Sequence, residues 1–162
     1  MSASQEFLRL MNNPLKFRIF LFSKLPSAYF SGLRLKSIDE NQCVVTIPYK
    51  WFSQNPFRST YFACLAMAAE MTTGALGMLY VYKRNPAISM LVVKVEGNYF
   101  KKADGITTFT CQDGSLLKAQ VEKTVASGEA VSFTAKSTGV NKAGELVAEF
   151  LITWSFKRRA IR

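Results

Sequence analysis

The longest apolar stretch of the chain runs from Tyr61 to Tyr82, "YFACLAMAAEMTTGALGMLYVY", and carries one carboxylate, Glu70. Its apolar residues fall on every side of a helical projection, the pattern of a helix enclosed all round. Ser59 or Thr60 stands where a cap would open it, and "KRNP" at 83–86 would end it. A helix of about 20 residues is also long enough to cross a bilayer. Thr72, Thr73, Gly74, Gly77 and the acid argue against that. A carboxylate at mid-bilayer adds about 2.5–3.5 kcal/mol. The expectation is a central helix wrapped by protein, with no transmembrane segment.

The segments on either side alternate or repeat with clear periods. "SASQEFLRLMNN" offers Ser2 or Ser4 as a cap and spaces Phe7, Leu8, Leu10 and Met11 helically before Asn12-Asn13-Pro14 breaks it. Pro14 opens a second helix, "PLKFRIFLFSKL", that ends before Pro26. This helix has little polar surface, and three roles fit it: packing on the domain, a lid on an apolar pocket, or a membrane-surface helix. Two strands follow around "DEN", the second rich in β-branched Val44, Val45 and Ile47 and limited by Pro48. Beyond the central helix come strands at "ISMLVVKVEGNYF", "ITTFTCQ", "AVSFTAKSTG" and "VAEFLITWSFKRR". A short helix, "SLLKAQVEKTVASG", interrupts them, and Gly128 terminates it. The predicted fold class is α+β: a curved antiparallel sheet around a long central helix, with helices 1–26 as an N-terminal extension and 27–162 as the main domain.

Composition narrows the chemistry. The chain has 162 residues, enough for one domain with a substantial core. With 49% apolar and 20% charged residues it is globular rather than disordered. The formal charge of +10 favours anionic partners. No histidine is present, which removes His-based triads, His general bases and His metal ligands. Acid–base work therefore falls to carboxylates, Lys, Tyr or Cys. Cys43, Cys64 and Cys111 have no paired spacing, so neither a zinc site nor any other metal or cofactor is expected. Their odd number, with an N-terminus that lacks a basic-then-apolar order, predicts reduced thiols in a cytoplasmic protein. The basic residues are spread along the chain and form no aromatic-basic motif of a nucleic-acid reader, so no nucleic-acid partner is expected.

This order of elements resembles the hotdog fold. "NPFRSTYFACLAMAAE" is similar to the active-site segment of phenylacetyl-CoA thioesterase-type hotdog proteins. That segment has an Asn, then after five residues a His-Gly-Gly opening the long helix, then an acid more than two turns along. Asn55 stands in the Asn place, Tyr61 in the His place and Glu70 in the acid place. "VEGNYFKKADG" resembles the strand and turn of the same proteins, and "YK", "NPF", "AAE" and "YFKKA" are shared with a hotdog family of unassigned function. The resemblance covers about residues 28–157. It departs at Tyr61-Phe62-Ala63, where bulkier side chains replace the two glycines that let a thioester approach closely.

The resemblance implies an acyl-CoA or acyl-carrier thioesterase and a homodimer, and leaves dimer or tetramer open. The amides of Phe62 and Ala63 would hold the carbonyl oxygen at the helix N-terminus. Tyr61 and Glu70 lie nine residues apart, so about 900° and about 13 Å separate them, on opposite faces. They cannot serve one substrate from one helix. In a hotdog dimer, Glu70 of one chain would face the helix start of the other and act as general base, its pKa raised by burial. The alternative for Glu70 is a structural hydrogen bond or ion pair. Asn55 would orient water or the carbonyl, or simply hold an Asn-Pro turn. Tyr61 would donate its phenol or line the pocket. Thr73, one turn past Glu70, would touch the carboxylate, or bond its own backbone. Ala66, Ala69, Gly74 and Gly77 would let a partner helix or an acyl chain approach closely, or simply pack on the sheet, and Gly74 and Phe57 would line the substrate pocket. Arg58, Lys101 and Lys102 would meet the phosphates of coenzyme A, with Lys157, Arg158 and Arg159 as further candidates. The competing reading is a non-catalytic hotdog module that binds an acyl ligand, its chemistry blocked by Tyr61 and Phe62.

Overall fold

A computed structural model describes residues 2–159. Three short helices lead the chain. In α1 (Ala3–Met11) the Ser2 hydroxyl accepts from the Gln5 amide while the Gln5 side chain accepts from the Ser2 amide, which settles two of the end donors. In α2 (Pro14–Lys24) Asn13 caps the Lys16 amide, and Pro14 occupies the first helical position, where no N–H is needed. The pattern of the chain treats the next residues as the approach to a strand. Instead Pro26 starts a six-residue helix, α3 (Pro26–Ser31), and Gly32 stops it with φ at 82°. That left-handed turn is accessible to glycine at little cost.

Six strands follow in the predicted places: β1 (Arg34–Ile38), β2 (Cys43–Ile47), β3 (Ile88–Tyr99), β4 (Thr107–Cys111), β5 (Val131–Val140) and β6 (Leu146–Arg158). They form one antiparallel sheet in the order β1-β2-β4-β5-β6-β3. Helix α4 (Phe62–Val81) lies between β2 and β3 in sequence, and α5 (Gly114–Ser127) between β4 and β5. The sheet curves around α4, whose Leu65, Ala68, Leu76 and Leu79 join Val45, Ile47, Phe109, Phe150, Ile152 and Phe156 in one core. Thirteen of the twenty residues of α4 are buried. That helix is long and apolar enough to cross a membrane, and its burial in the sheet accounts for the same composition. Two polar contacts set its rotation. Thr72 Oγ1 and Ser137 Oγ on β5 are 2.8 Å apart, and Trp154 Nε1 on β6 donates to Thr73 Oγ1 at 2.9 Å.

The two sheet edges differ. At β1, Asn12 donates to the Ile38 carbonyl and accepts from its amide at 2.9 and 3.2 Å, so the end of α1 covers the edge. At β3, a twelve-residue strand exposes Leu91, Val93, Val95 and Tyr99. A long apolar edge of that kind is a template for a further strand. All three cysteines are buried free thiols. Cys43 on β2 and Cys111 on β4 are register partners, both buried and both free thiols. Burial pushes the Cys111 thiol up to about 12 and Cys43 higher, so both stay protonated and inert.

Candidate active site

Glu70 leaves the buried face of α4 and borders a cavity of about 450 Å³. The walls are mostly apolar, with Phe7 and Met11 of α1, Phe17 and Phe20 of α2, Met78 of α4, and Trp154 of β6; Lys16 of α2 also lines the cavity but forms no ion pair with Glu70. Among the described residues no donor or cation reaches the carboxylate, and burial in these walls raises its pKa above the usual 4.5. The structural ion pair or hydrogen bond offered as an alternative is therefore not formed. Gly74 lies one turn on and gives the carboxylate its space. A methyl group there would come within 3.1 Å of Glu70 Oε1 and of the Trp154 ring. Thr73 does not border the cavity. It is fully buried, its hydroxyl donates to the Glu70 carbonyl at 3.1 Å, and it accepts from Trp154. Thr73 thus orients the indole that walls the cavity rather than touching the acid.

The start of α4 opens on a second cleft of about 330 Å³, lined by Asn55, Phe57, Thr60, Tyr61, Phe62, Lys101 and Lys102 among others. Neither Ser59 nor Thr60 caps the helix, contrary to the expectation. The capping position falls on Tyr61, whose side chain makes no cap bond. Its carbonyl takes the Cys64 amide at 2.9 Å, and the amides of Phe62 and Ala63 have no acceptor among the described residues. An uncapped first turn carries partial positive charge and points N–H groups outward. The Thr60 hydroxyl is buried and also without a partner. Tyr61 and Phe62 stand half exposed, their rings 4.8 Å apart edge to face.

The other predicted residues divide. The Asn55 side chain is turned into its own loop: Oδ1 accepts from the amides of Phe57 and Ser59 at 2.9 and 3.2 Å, and Nδ2 donates to Ser59 Oγ at 3.0 Å. Its amide shapes the 55–59 turn, in which Arg58 takes a φ of 58°, while Asn55 also lines the cleft. Lys101 reaches the cleft but is paired with Glu145 at 2.5 Å. Lys102 is exposed there, whereas Arg58 is exposed but does not line it.

The sequence matches, over residues 16–156, the family described as a domain of unknown function, DUF4442. The chain belongs to that family. No functionally curated protein matches it. Solved structures do. A Pseudomonas aeruginosa protein of unknown function, described as a probable thioesterase, superposes with a TM-score of 0.76 at 18% identity, over 93% of this chain and 99% of that one. A mutant thioesterase of the same organism gives 0.68 at 11%, over 94% and 99%. A Haemophilus influenzae thioesterase gives 0.62 at 9%, over 86% and 88%. At such identities the likeness establishes the fold, which is the hotdog fold that the order of elements predicts.

In this DUF4442 chain Glu70 and the helix start therefore open on two separate cavities, as their spacing along α4 requires. The DUF4442 cavity also has walls that the pattern of the chain does not point to. Phe7, Met11, Phe17 and Phe20 come from the N-terminal helices, and Trp154 from the last strand. Their only trace in the sequence is that α2 has more apolar residues than one buried face needs. Thr60 likewise reads as a cap and proves to be an unpartnered hydroxyl beside the helix start.

Proposed function

We propose that the protein is a thioester hydrolase acting on acyl-CoA or acyl-carrier substrates, as a homodimer with a shared site. The observation that carries the reading is Glu70: a single carboxylate, unpaired among the described residues, with its pKa raised, at the wall of a mostly apolar cavity with room for an acyl chain. A carboxylate has no packing reason to be there, whereas a general base with a raised pKa does. The thioesterase neighbours support the class of reaction, and the open β3 edge supports the dimer. Met90 of that same strand lines the Glu70 cavity, so a partner joined along β3 would stand next to it.

In the proposed mechanism the acyl group occupies the apolar cavity. Glu70 of one protomer takes a proton from water, and the water oxygen attacks the thioester carbonyl. The amides of Phe62 and Ala63 of the other protomer hold the oxyanion that forms. Collapse of that intermediate breaks the C–S bond, and the thiolate leaves as the free thiol with the proton that Glu70 took up. The Thr60 hydroxyl and the Tyr61 phenol lie beside the oxyanion position. Lys102 and Arg58 would meet the phosphates of coenzyme A. Reduced, buried cysteines suit a cytoplasmic location.

Free-thiol release from a panel of acyl-CoAs tests the reading. Steady release by the wild type, reduced about 10²-fold or more in Glu70→Ala and Glu70→Gln, is expected. Equal rates in all three proteins would remove Glu70 from catalysis. Acyl-CoA that raises the melting temperature without any thiol release would favour the non-catalytic binder.

A further inference from the structure

Helix α2 carries two apolar stripes, and only one faces the protein. Phe17 and Leu21 are buried. On the opposite side, Leu15, Ile19 and Phe22, spaced by four and three residues, are 70%, 59% and 59% exposed. The exposed stripe continues beyond the helix. Phe22 lies 6.3 Å from Phe30 of α3, Phe30 lies 5.7 Å from Phe52, and Phe52 lies 5.9 Å from Trp51, which is 79% exposed. Contiguous apolar surface of this kind marks an interaction face.

Charge decides what it meets. The face is built from two parts of the sequence. Helices α2 and α3 hold Lys16, Arg18 and Lys24 with no Asp or Glu, and residues 48–53 hold Lys50, again with none. Arg18 and Lys16 flank the exposed stripe of α2 on either side. The Arg18 guanidinium stacks on Tyr29 at 4.0 Å, and the Lys50 ammonium lies over Gly32 at the end of α3. A second copy of the chain would bring the same cations against these ones. A partner surface that is apolar within and anionic at its rim satisfies both features, and an anionic bilayer has that structure: cations at headgroup level, with Leu, Ile, Phe and Trp in the acyl boundary. We infer that α2, α3 and the 51–52 turn form a membrane-docking face that seats the protein on anionic phospholipid. Phe20 and Leu25 line the Glu70 cavity while Ile19 and Phe22 point outward, so the docked helix stands between the lipid and that cavity. The inference does not depend on the thioesterase reading.

Flotation with vesicles tests it, using phosphatidylcholine alone and an equimolar mixture with phosphatidylglycerol. The full chain is expected to float with the anionic vesicles, to stay behind with the neutral ones, and to detach as salt rises. Trp51 serves as an internal reporter, because the only other tryptophan, Trp154, is buried. Its emission should shift to the blue on anionic vesicles. Ile19→Ser with Phe22→Ser changes exposed side chains, so the fold should be unaffected. It should weaken vesicle binding by at least about tenfold, as should Lys24→Gln with Lys50→Gln. The inference is overturned if the wild type ignores anionic vesicles or if the serine pair binds them as the wild type does. It is also overturned if that pair instead splits an oligomer seen by sedimentation, which would make the face a contact between copies.

Discussion

Glu70 concentrates the residue-scale chemistry. Its proton is held more tightly in the folded protein than in the unfolded chain, where the usual 4.5 applies. Below about pH 4.5 both states are protonated, and Glu70→Gln should match the wild type in stability. As pH rises through the folded pKa, the wild type must carry a charge among apolar walls and loses stability, which the amide does not. The glutamine variant is therefore expected to melt higher at neutral pH, by about 2–4 °C for each kcal/mol relieved in a chain of this size. Calorimetry from pH 4 to 8 should show the gap opening with pH, and a constant gap would contradict the assignment. The rate has the opposite sign. kcat/KM should rise with pH through an inflection above 4.5, because only the carboxylate accepts a proton from water. Gly74→Ala probes the geometry around the same group. The added methyl gains up to about 1 kcal/mol of helix propensity and presses on Glu70 Oε1 and the Trp154 ring. Melting should change little, while turnover should fall more than about tenfold, because a carboxylate displaced by a fraction of an ångström is a poor base.

At the scale of elements, the α4 start and the loop before it divide the work. Asn55 holds the 55–59 turn through three bonds to Phe57 and Ser59. Asn55→Ala should destabilise the protein by about 1–3 kcal/mol in urea unfolding, since two amides lose their acceptor. Its kcat should fall much less than that of Glu70→Ala. A loss as large as that of Glu70→Ala, without destabilisation, would restore Asn55 to the catalytic machinery. Helix α2 shows why a periodic reading understates some elements. Apolar residues on opposite faces cancel in any one-sided measure of amphipathicity, although one face packs and lines the cavity and the other meets solvent.

For the whole molecule the proposed site shared between two copies makes a quantitative expectation. Glu70→Gln leaves the helix start intact, and Phe62→Pro removes one oxyanion amide at a helical position that tolerates proline. Each homodimer should be nearly inactive. Random pairing of equal amounts makes half the dimers mixed, each with one complete site, so about a quarter of wild-type activity should return on co-expression. No recovery would mean that each site is built within one chain. The unequal edges of the sheet fit the same proposal: Asn12 covers β1, whereas β3 exposes Leu91, Val93 and Val95.

The order of elements, the central helix and its acid were legible in the sequence, because helix and strand periods and Gly and Pro breaks are local properties of the chain. The opposite placement of Tyr61 and Glu70 followed from helical rise and turn alone. Three things were decided by the tertiary structure. Cys43 and Cys111 become neighbours only when β2 and β4 pair. The Glu70 cavity has walls from both ends of the chain, and no local pattern links Phe7 or Phe17 to Trp154. Asn55 bonds within its own turn and Thr60 does not cap the helix, since the bonds a polar side chain makes depend on the path of the loop around it. Propensity determines which segments become helix or strand, while long-range packing determines which of their side chains meet.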